Sequence, residues 1–147
     1  MTIMEELTDI SGAGFLIFRR DTLGSSSPLM LALVREDGLL DIPKGRKDLG
    51  ESSLETAKRE CFEECSIVLS DNELLFGGDN HSNGSLDVFC AATNGTPLIT
   101  VNPHSGIQEH VSFEWVTQED FCSRCLSYLI PATNHFYFSH SQTYNNT

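Results

Sequence analysis

Basic residues are nearly missing beyond position 59 of this chain. Of its 9 Lys and Arg residues, Arg19, Arg20, Arg35, Lys44, Arg46, Lys47, Lys58 and Arg59 come first, and Arg124 stands alone after them. With 21 acidic residues the net charge is −12, which argues against broad binding to nucleic acid or to an anionic membrane surface. A polyanion, if one is bound, must be met by the first part of the chain or by a bound metal. Long apolar runs are missing too, since none approaches the ~18 residues of a membrane span. A hydrophobic fraction of 39% and a charged fraction of 20% are those of a folded soluble protein. The amino terminus, MTIMEELTDIS, has neither the basic start nor the apolar stretch of a secretory signal, so the expected compartment is cytoplasmic. No regular cysteine framework is present: the 5 cysteines are odd in number, as expected where cysteine acts as a small apolar residue in a reducing environment. Asn83-Gly84-Ser85, Asn94-Gly95-Thr96 and Asn145-Asn146-Thr147 match glycosylation acceptors, yet without a secretion signal the first two read as turns.

The 147 residues suffice for one domain, 1–147, with a single sizeable core, and no repeat or linker divides them. The pattern reads as α+β. Residues 12–18 (GAGFLIF) and 29–34 (LMLALV) are apolar runs of strand length around a Gly-Ser-Ser-Ser-Pro loop. A short strand at 39–42 should end at Pro43, which has no N–H to give a ladder. A helix follows, and then strands at 73–76, 86–92 and 97–101, with Asn83-Gly84 and Asn94-Gly95 as hairpin turns. Residues 111–116 read as another strand, and Thr117 with Asp120 as the cap of a second helix running through Leu126. The aromatic tail beyond Pro131 could be helical or not on this pattern.

The helix within GRKDLGESSLETAKRECFEECSI, residues 45–67, crowds three glutamates into five positions. At ~100° per residue, and taking Cys61 as zero, Leu54, Ala57 and Cys65 fall within about 40° and form a core-facing stripe. On the same scale Glu64 lies near −60°, Glu60 near −100° and Glu63 near −160°, while Lys58 and Arg59 lie at roughly +60° and +160°. A solvated acidic face would explain three glutamates, because a like-charged i, i+4 pair costs only ~0.2–0.5 kcal/mol in water. Glu64, however, sits at the margin of the buried stripe with no basic residue on its side. A carboxylate there is costly unless paired or bound to a cation, and hard divalent cations take such oxygen ligands. The preceding Pro43-Lys44-Gly45-Arg46-Lys47 combines three cations with a glycine that allows close backbone approach. It could hold phosphate oxygens beside a metal, or be an ordinary surface turn.

Together these pieces resemble the Nudix box. Gly45, Glu51, Arg59-Glu60 and Glu63-Glu64 recur at the family's spacings, with apolar Cys61 and Ile67 and with Phe62 and Cys65 between. Ser66 departs from the pattern, which has glycine there to end the helix in a left-handed conformation. The resemblance implies a Nudix fold, a mixed β-sheet sandwiched between α-helices (α/β/α), and Mg²⁺- or Mn²⁺-dependent hydrolysis of a phosphoanhydride in a small-molecule polyphosphate. Carried over by position, Glu60 and Glu64 would bind metal, Glu63 would share a ligand or base role, and the Gly45 carbonyl would be a further ligand. Glu51 and Arg59 would be structural, the arginine orienting the cluster by an ion pair. A further carboxylate from a later loop acts in several branches of the family; Glu109, beside His110, is the candidate in this chain, with a plain surface pair as the alternative. Lys44, Arg46, Lys47, Arg20 and Arg35 are the candidate substrate cations.

GAGFLIFRR, the PKG before the box and EHVSFEWV look similar to the dinucleoside polyphosphate hydrolases and, less closely, to the diphosphoinositol polyphosphate phosphohydrolases. The sparse cations of the second half favour a dinucleotide such as a diadenosine polyphosphate, for which Tyr128, Phe136, Tyr137 or Phe138 could stack on adenine. Messenger RNA decapping fits the net charge poorly. A non-catalytic binding module would be expected to lose box glutamates, all of which this chain retains. A structural zinc site at Cys61, Cys65, Cys122 and Cys125 has ligand-like spacing, but Cys61 and Cys65 lie on the core stripe.

Overall fold

A computed structural model describes residues 11–100 and 109–145. The first strand, β1 (Gly12–Arg19), is buried on both faces, which is why it reads as a continuous apolar run instead of alternating. Around it are β2 (Met30–Arg35), β3 (Leu40–Asp41) and β4 (Lys44–Arg46), followed by the helix α1 (Ser53–Cys65). Then come β5 (Asn80–Asn83), β6 (Leu86–Thr93), β7 (His110–Val116), α2 (Gln118–Arg124) and α3 (Ile130–Asn145). The strands form one mixed sheet in the order β3-β2-β1-β6-β5, with β4 also on β1 and β7 on β2. β1 and β6 run parallel, whereas β4 meets β1 antiparallel with Gly14 opposite Lys44 and Gly12 opposite Arg46.

Two apolar layers cover the sheet. Phe15, Ile17, Leu31 and Leu33 pack against Ala57, Cys61 and Cys65 of α1. On the other face Leu16, Phe18, Met30 and Ala32 pack against Phe121, Leu129, Phe136 and Tyr137 from the last two helices and the turn between them. The expected sandwich of helices about a mixed sheet is therefore present. The cysteines divide between its faces, with Cys61 and Cys65 under α1 and Cys125 in the opposite layer, so the four thiols do not make one zinc site. Among the described residues no helix is long and apolar enough to cross a membrane.

Several expectations change. Residues 73–76 are not a strand: Asp71–Glu73 and Phe76–Gly78 are single 3₁₀ turns, joined to the sheet by the isolated bridge of Leu74 with Ala91. The hairpin partner of β6 is instead Asn80–Asn83, a polar edge strand whose NHSN sequence carries no apolar alternation. The turn at Asn83-Gly84 is as expected, with Gly84 at φ 63°. Residues 97–100 lie beside α1 without strand pairing, Leu98 N–H donating to the Cys65 carbonyl at 2.9 Å, and Val101 is outside the described residues. The aromatic tail is helical.

Local chemistry sets the ends of α1. Ser52 caps it, accepting from Glu55 N–H while the Glu55 carboxylate accepts from Ser52 N–H. At the other end Ser66 takes the left-handed conformation, φ 64° and ψ 18°, its N–H donating to Phe62 O. Serine thus adopts the geometry for which glycine was expected, at a cost of roughly 1–2 kcal/mol. Arg59 ties the helix to the preceding loop: its Nε donates to Glu51 Oε2 at 2.7 Å and its Nη2 to Glu51 Oε1 at 3.0 Å. That guanidinium holds the Glu51 carboxyl well below its ordinary 4.5, at about 2.

Two outcomes are expected. Ser66→Gly should raise the free energy of unfolding in urea by about 1 kcal/mol, the relief of strain exceeding the entropy glycine adds to the unfolded chain. Because the Glu51 value is depressed on folding, its contribution is full above pH 4.5 and is lost as pH falls toward about 2. Glu51→Gln should remove that part of the acid-dependent decline in melting temperature and lower stability at neutral pH.

Candidate functional site

The junction of β4 with α1 brings the box residues together. Glu60 is 8% exposed and Glu64 6%, one helical turn apart at the edge of the α1 core. A Cβ on Gly45 would meet the Glu60 carboxyl, so glycine here leaves that carboxyl room against β4. The Gly45 carbonyl faces β1, where a Cβ on Gly12 would come within 2.8 Å of it. What Gly45 offers the helix is therefore space. Lys44 N–H donates to Glu64 Oε1 at 3.3 Å, fixing that carboxyl to the strand.

Charge is unevenly relieved across the cluster. Arg59 Nη1 donates to Glu60 Oε2 at 3.0 Å and to Glu63 Oε1 at 3.1 Å. Even so, burial keeps the Glu60 pKa above its ordinary value. Glu64 is out of reach of Arg59; burial first, and then the charges of Glu60, Glu109 and Asp41, push its pKa up to about 10. Among the described residues no three His, Cys, Asp or Glu side chains are grouped so as to hold a metal ion as they stand. Two of the three box glutamates are drawn to Arg59 instead.

Beside Glu64 opens a cleft of about 540 Å³ lined by Arg35, Glu36, Asp37, Asp41, Lys44, Glu109 and His110. Glu109, expected from the sequence as the extra carboxylate, is exposed on this cleft and close enough to raise Glu64. His110 is 5% exposed and Asp41 4%, and the His110 Nε2 lies 3.1 Å from Asp41 Oδ2. Lys44 Nζ is 3.4 Å from the same oxygen. Burial opposes the Asp41 charge, but His110, Lys44 and Ile42 N–H together hold its pKa below the ordinary value. Asp41 is not among the residues expected from the sequence. Its signal was an acid inside the otherwise apolar LLDI run before Pro43.

A second cleft, of about 370 Å³, lies on the other side of Lys44 and is lined by Gly12, Gly45, Arg46, Ser85, Leu86 and Tyr128 among others. Lys44 Nζ is 5.8 Å from the Tyr128 ring centroid. Of the candidate stacking rings, Phe136 and Tyr137 are core residues, Phe138 is exposed on α3, and Tyr128, 45% exposed, borders this cleft. Among the candidate cations, Lys44 and Arg46 line this second cleft and Lys44 and Arg35 the first, Arg35 being paired with Asp37 at 2.9 Å. Lys47 is half-buried and lines neither. Arg20 does not belong to the site. It donates to Ala92 O beyond the far end of β1, roughly 20 Å along the strand from Gly14, which faces Lys44.

No family model and no curated protein matches the chain. Solved structures do. An Ap4A hydrolase of C. elegans in a binary complex superposes with a TM-score of 0.67 at 18% identity, over 89% of this chain and 98% of that one. A dihydroneopterin triphosphate pyrophosphohydrolase of E. coli gives 0.63 at 18%, over 87% and 94%. A protein assigned to the Nudix hydrolases in Listeria monocytogenes gives 0.67 at 17%, over 91% and 96%. These likenesses extend over nearly the whole of each chain: the chain has the Nudix hydrolase fold.

Proposed function

We propose that the protein is a Nudix-type pyrophosphohydrolase that uses Mg²⁺ or Mn²⁺ and cleaves a phosphoanhydride bond, with dinucleoside polyphosphates such as diadenosine polyphosphates as substrates. The observation that carries the reading is the buried pair Glu60, against Gly45, and Glu64, against the Lys44 N–H, at the lip of a cleft edged by Lys44. Two buried carboxylates of which only Glu60 is met by a guanidinium are a donor set for a hard divalent ion. Glu60 and Glu64 would hold it, with Glu63 joining if it leaves Arg59. When bound, such an ion supplies an activated water and neutralises charge that develops on the phosphoryl oxygens.

The chain's own groups have separate tasks. Lys44, flanked by both clefts, holds the polyphosphate across the carboxylates, with Arg46 and Arg35 toward either end. Glu109 accepts the proton of the attacking water as its oxygen bonds to phosphorus. The anhydride P–O bond breaks, and the departing phosphate keeps the electron pair. Arg59 keeps Glu60 and Glu63 apart from the core and against the loop. Tyr128 and Leu86 supply a ring and an apolar wall in the second cleft, as an adenine requires. Three cations around the clefts are few for an inositol pyrophosphate, which needs many about its ring.

A product assay across diadenosine polyphosphates, inositol pyrophosphates, nucleotide sugars and capped RNA, with Mg²⁺ or Mn²⁺, tests the reading. Diadenosine polyphosphates should be cleaved fastest. Glu64→Gln should lower kcat by roughly 10²–10³-fold with the far-ultraviolet spectrum unchanged. Full activity of that variant on the best substrate would overturn the role of Glu64 as a metal ligand.

A further inference from the structure

We propose that the contact between His81 and His135 is a proton-sensitive latch, which holds the edge strand β5 on α3 and with it the Tyr128 wall of the second cleft. The inference rests on the hydrolase reading above only for what that cleft binds. Its own footing is the seam between β5 and α3.

β5 ends the sheet, paired with β6 on one side. Its alternate residues His81 and Asn83 are half-buried, while Asn80 and Ser82 are exposed. The His81 ring centroid lies 5.0 Å from that of His135, and the His135 ring meets Phe136 edge-on at 5.0 Å. One strand step on, the Asn83 Nδ2 donates to the Tyr128 carbonyl. Tyr128 belongs to the 3₁₀ turn Ser127–Leu129, which runs directly into α3, so both contacts tie β5 to one continuous helical segment.

A proton would strain this seam. Among the described residues the His81 Nδ1 is the one buried side-chain nitrogen or oxygen with no hydrogen-bond partner. As a lone pair that nitrogen costs less than as the N–H of an imidazolium, a buried charged donor with nothing to receive it. Two imidazolium rings at 5.0 Å would also repel. Other charges are placed elsewhere. α3 carries no Asp, Glu, Lys or Arg, and its Tyr137 and His140 reach the Pro28 and Leu23 carbonyls. On β6, Cys90 is a fully buried thiol pushed up by burial, and Asp87 takes the Ser82 hydroxyl at 2.6 Å on the sheet's other face. Asp79, ahead of β5, is exposed, and Lys44 stands 5.8 Å from the Tyr128 ring.

Burial first, and then charge on His135, hold the His81 imidazole below its ordinary 6.5. Because docking lowers the His81 value, the undocked ring binds the proton more readily, so docking is complete above 6.5 and weakens as the pH falls below it. Release of His81 frees the Asn83 that holds Tyr128, and the second cleft loses the ring on which a base would stack. The box glutamates lie on α1, across the sheet from α3, and keep their places.

The test uses the intact protein, free of substrate, with ¹⁵N in its histidines and ¹³C in its tyrosine rings. Nuclear magnetic resonance from about pH 8 to about pH 5.5 should show His81 titrating below its ordinary value, with the Tyr128 ring signals moving at the same midpoint. In His81→Phe, which keeps a ring against His135 but takes up no proton, Tyr128 should stay still. His135→Phe should raise the His81 midpoint and that of Tyr128 with it. On acidification the KM for diadenosine tetraphosphate should rise about threefold more in the unaltered protein than in His81→Phe, with kcat following the same profile in both. A His81 titration that Tyr128 does not follow, or a Tyr128 response that survives in His81→Phe, would overturn the latch and leave the hydrolase reading standing. Coupled titration in a protein that cleaves no polyphosphate would uphold the latch and overturn that reading. The titration of the unaltered protein decides the matter even if a variant does not fold.

Discussion

Glu60 and Glu64 are held one helical turn apart at the rim of a packed core, and the rest of the site follows from their mutual repulsion. On a solvated helix such a pair costs only a few tenths of a kcal/mol. Buried, at an effective dielectric of about 20 and a separation of about 5–6 Å, ionising both would cost ~3 kcal/mol, so Glu64 keeps its proton instead, its pKa pushed up to about 10. Such a cost is a sizeable part of the stability of a domain of this size. Arg59 offsets part of it by reaching Glu60 and Glu63 while also holding Glu51. The rest falls on Glu64, which has the Lys44 N–H and no guanidinium. A bound divalent cation is the one partner that would satisfy both carboxylates together.

Packing on either side of the pair keeps it from relaxing. Ala57, Cys61 and Cys65 are fully buried beneath the sheet, so α1 cannot roll to expose Glu64 without opening the core. Gly45 closes the other side by bringing the β4 backbone against the Glu60 carboxyl. The capping box at Ser52 and the left-handed Ser66 fix where the helix begins and ends, and with it the height of each carboxylate on the strand. Fold and site are thus joined at one short stretch: a strand of three residues, a loop and a helix.

Much of this was legible in the chain, because helical angle is set by sequence spacing alone. The buried stripe and the margin position of Glu64 follow from counting residues at a fixed turn per residue, while the special position of Ser66 shows only through the resemblance to the Nudix box. Strands with long apolar runs were equally plain, since both faces of β1 and β2 are covered. The polar edge strand Asn80–Asn83 was not, because an edge exposed to solvent needs no apolar alternation. Asp41 was missed for a different reason. Its role comes from Lys44 three residues on and His110 on β7, and only the sheet brings β7 beside β2. Arg20 was misplaced by the same blindness, as clustering in sequence put it with cations that lie at the other end of β1.

On this view the two buried carboxylates can both ionise only beside a divalent cation, and without one Glu64 must take up a proton on folding. Thermal denaturation in metal-free buffer and with added Mn²⁺ tests it directly, using the intact protein and the double variant Glu60→Gln with Glu64→Gln. The double variant should melt higher than the unaltered protein without metal and should not respond to Mn²⁺, whereas the unaltered protein gains stability with each increment of Mn²⁺. A double variant that is less stable in metal-free buffer, or one that Mn²⁺ stabilises as much as the unaltered protein, would contradict it.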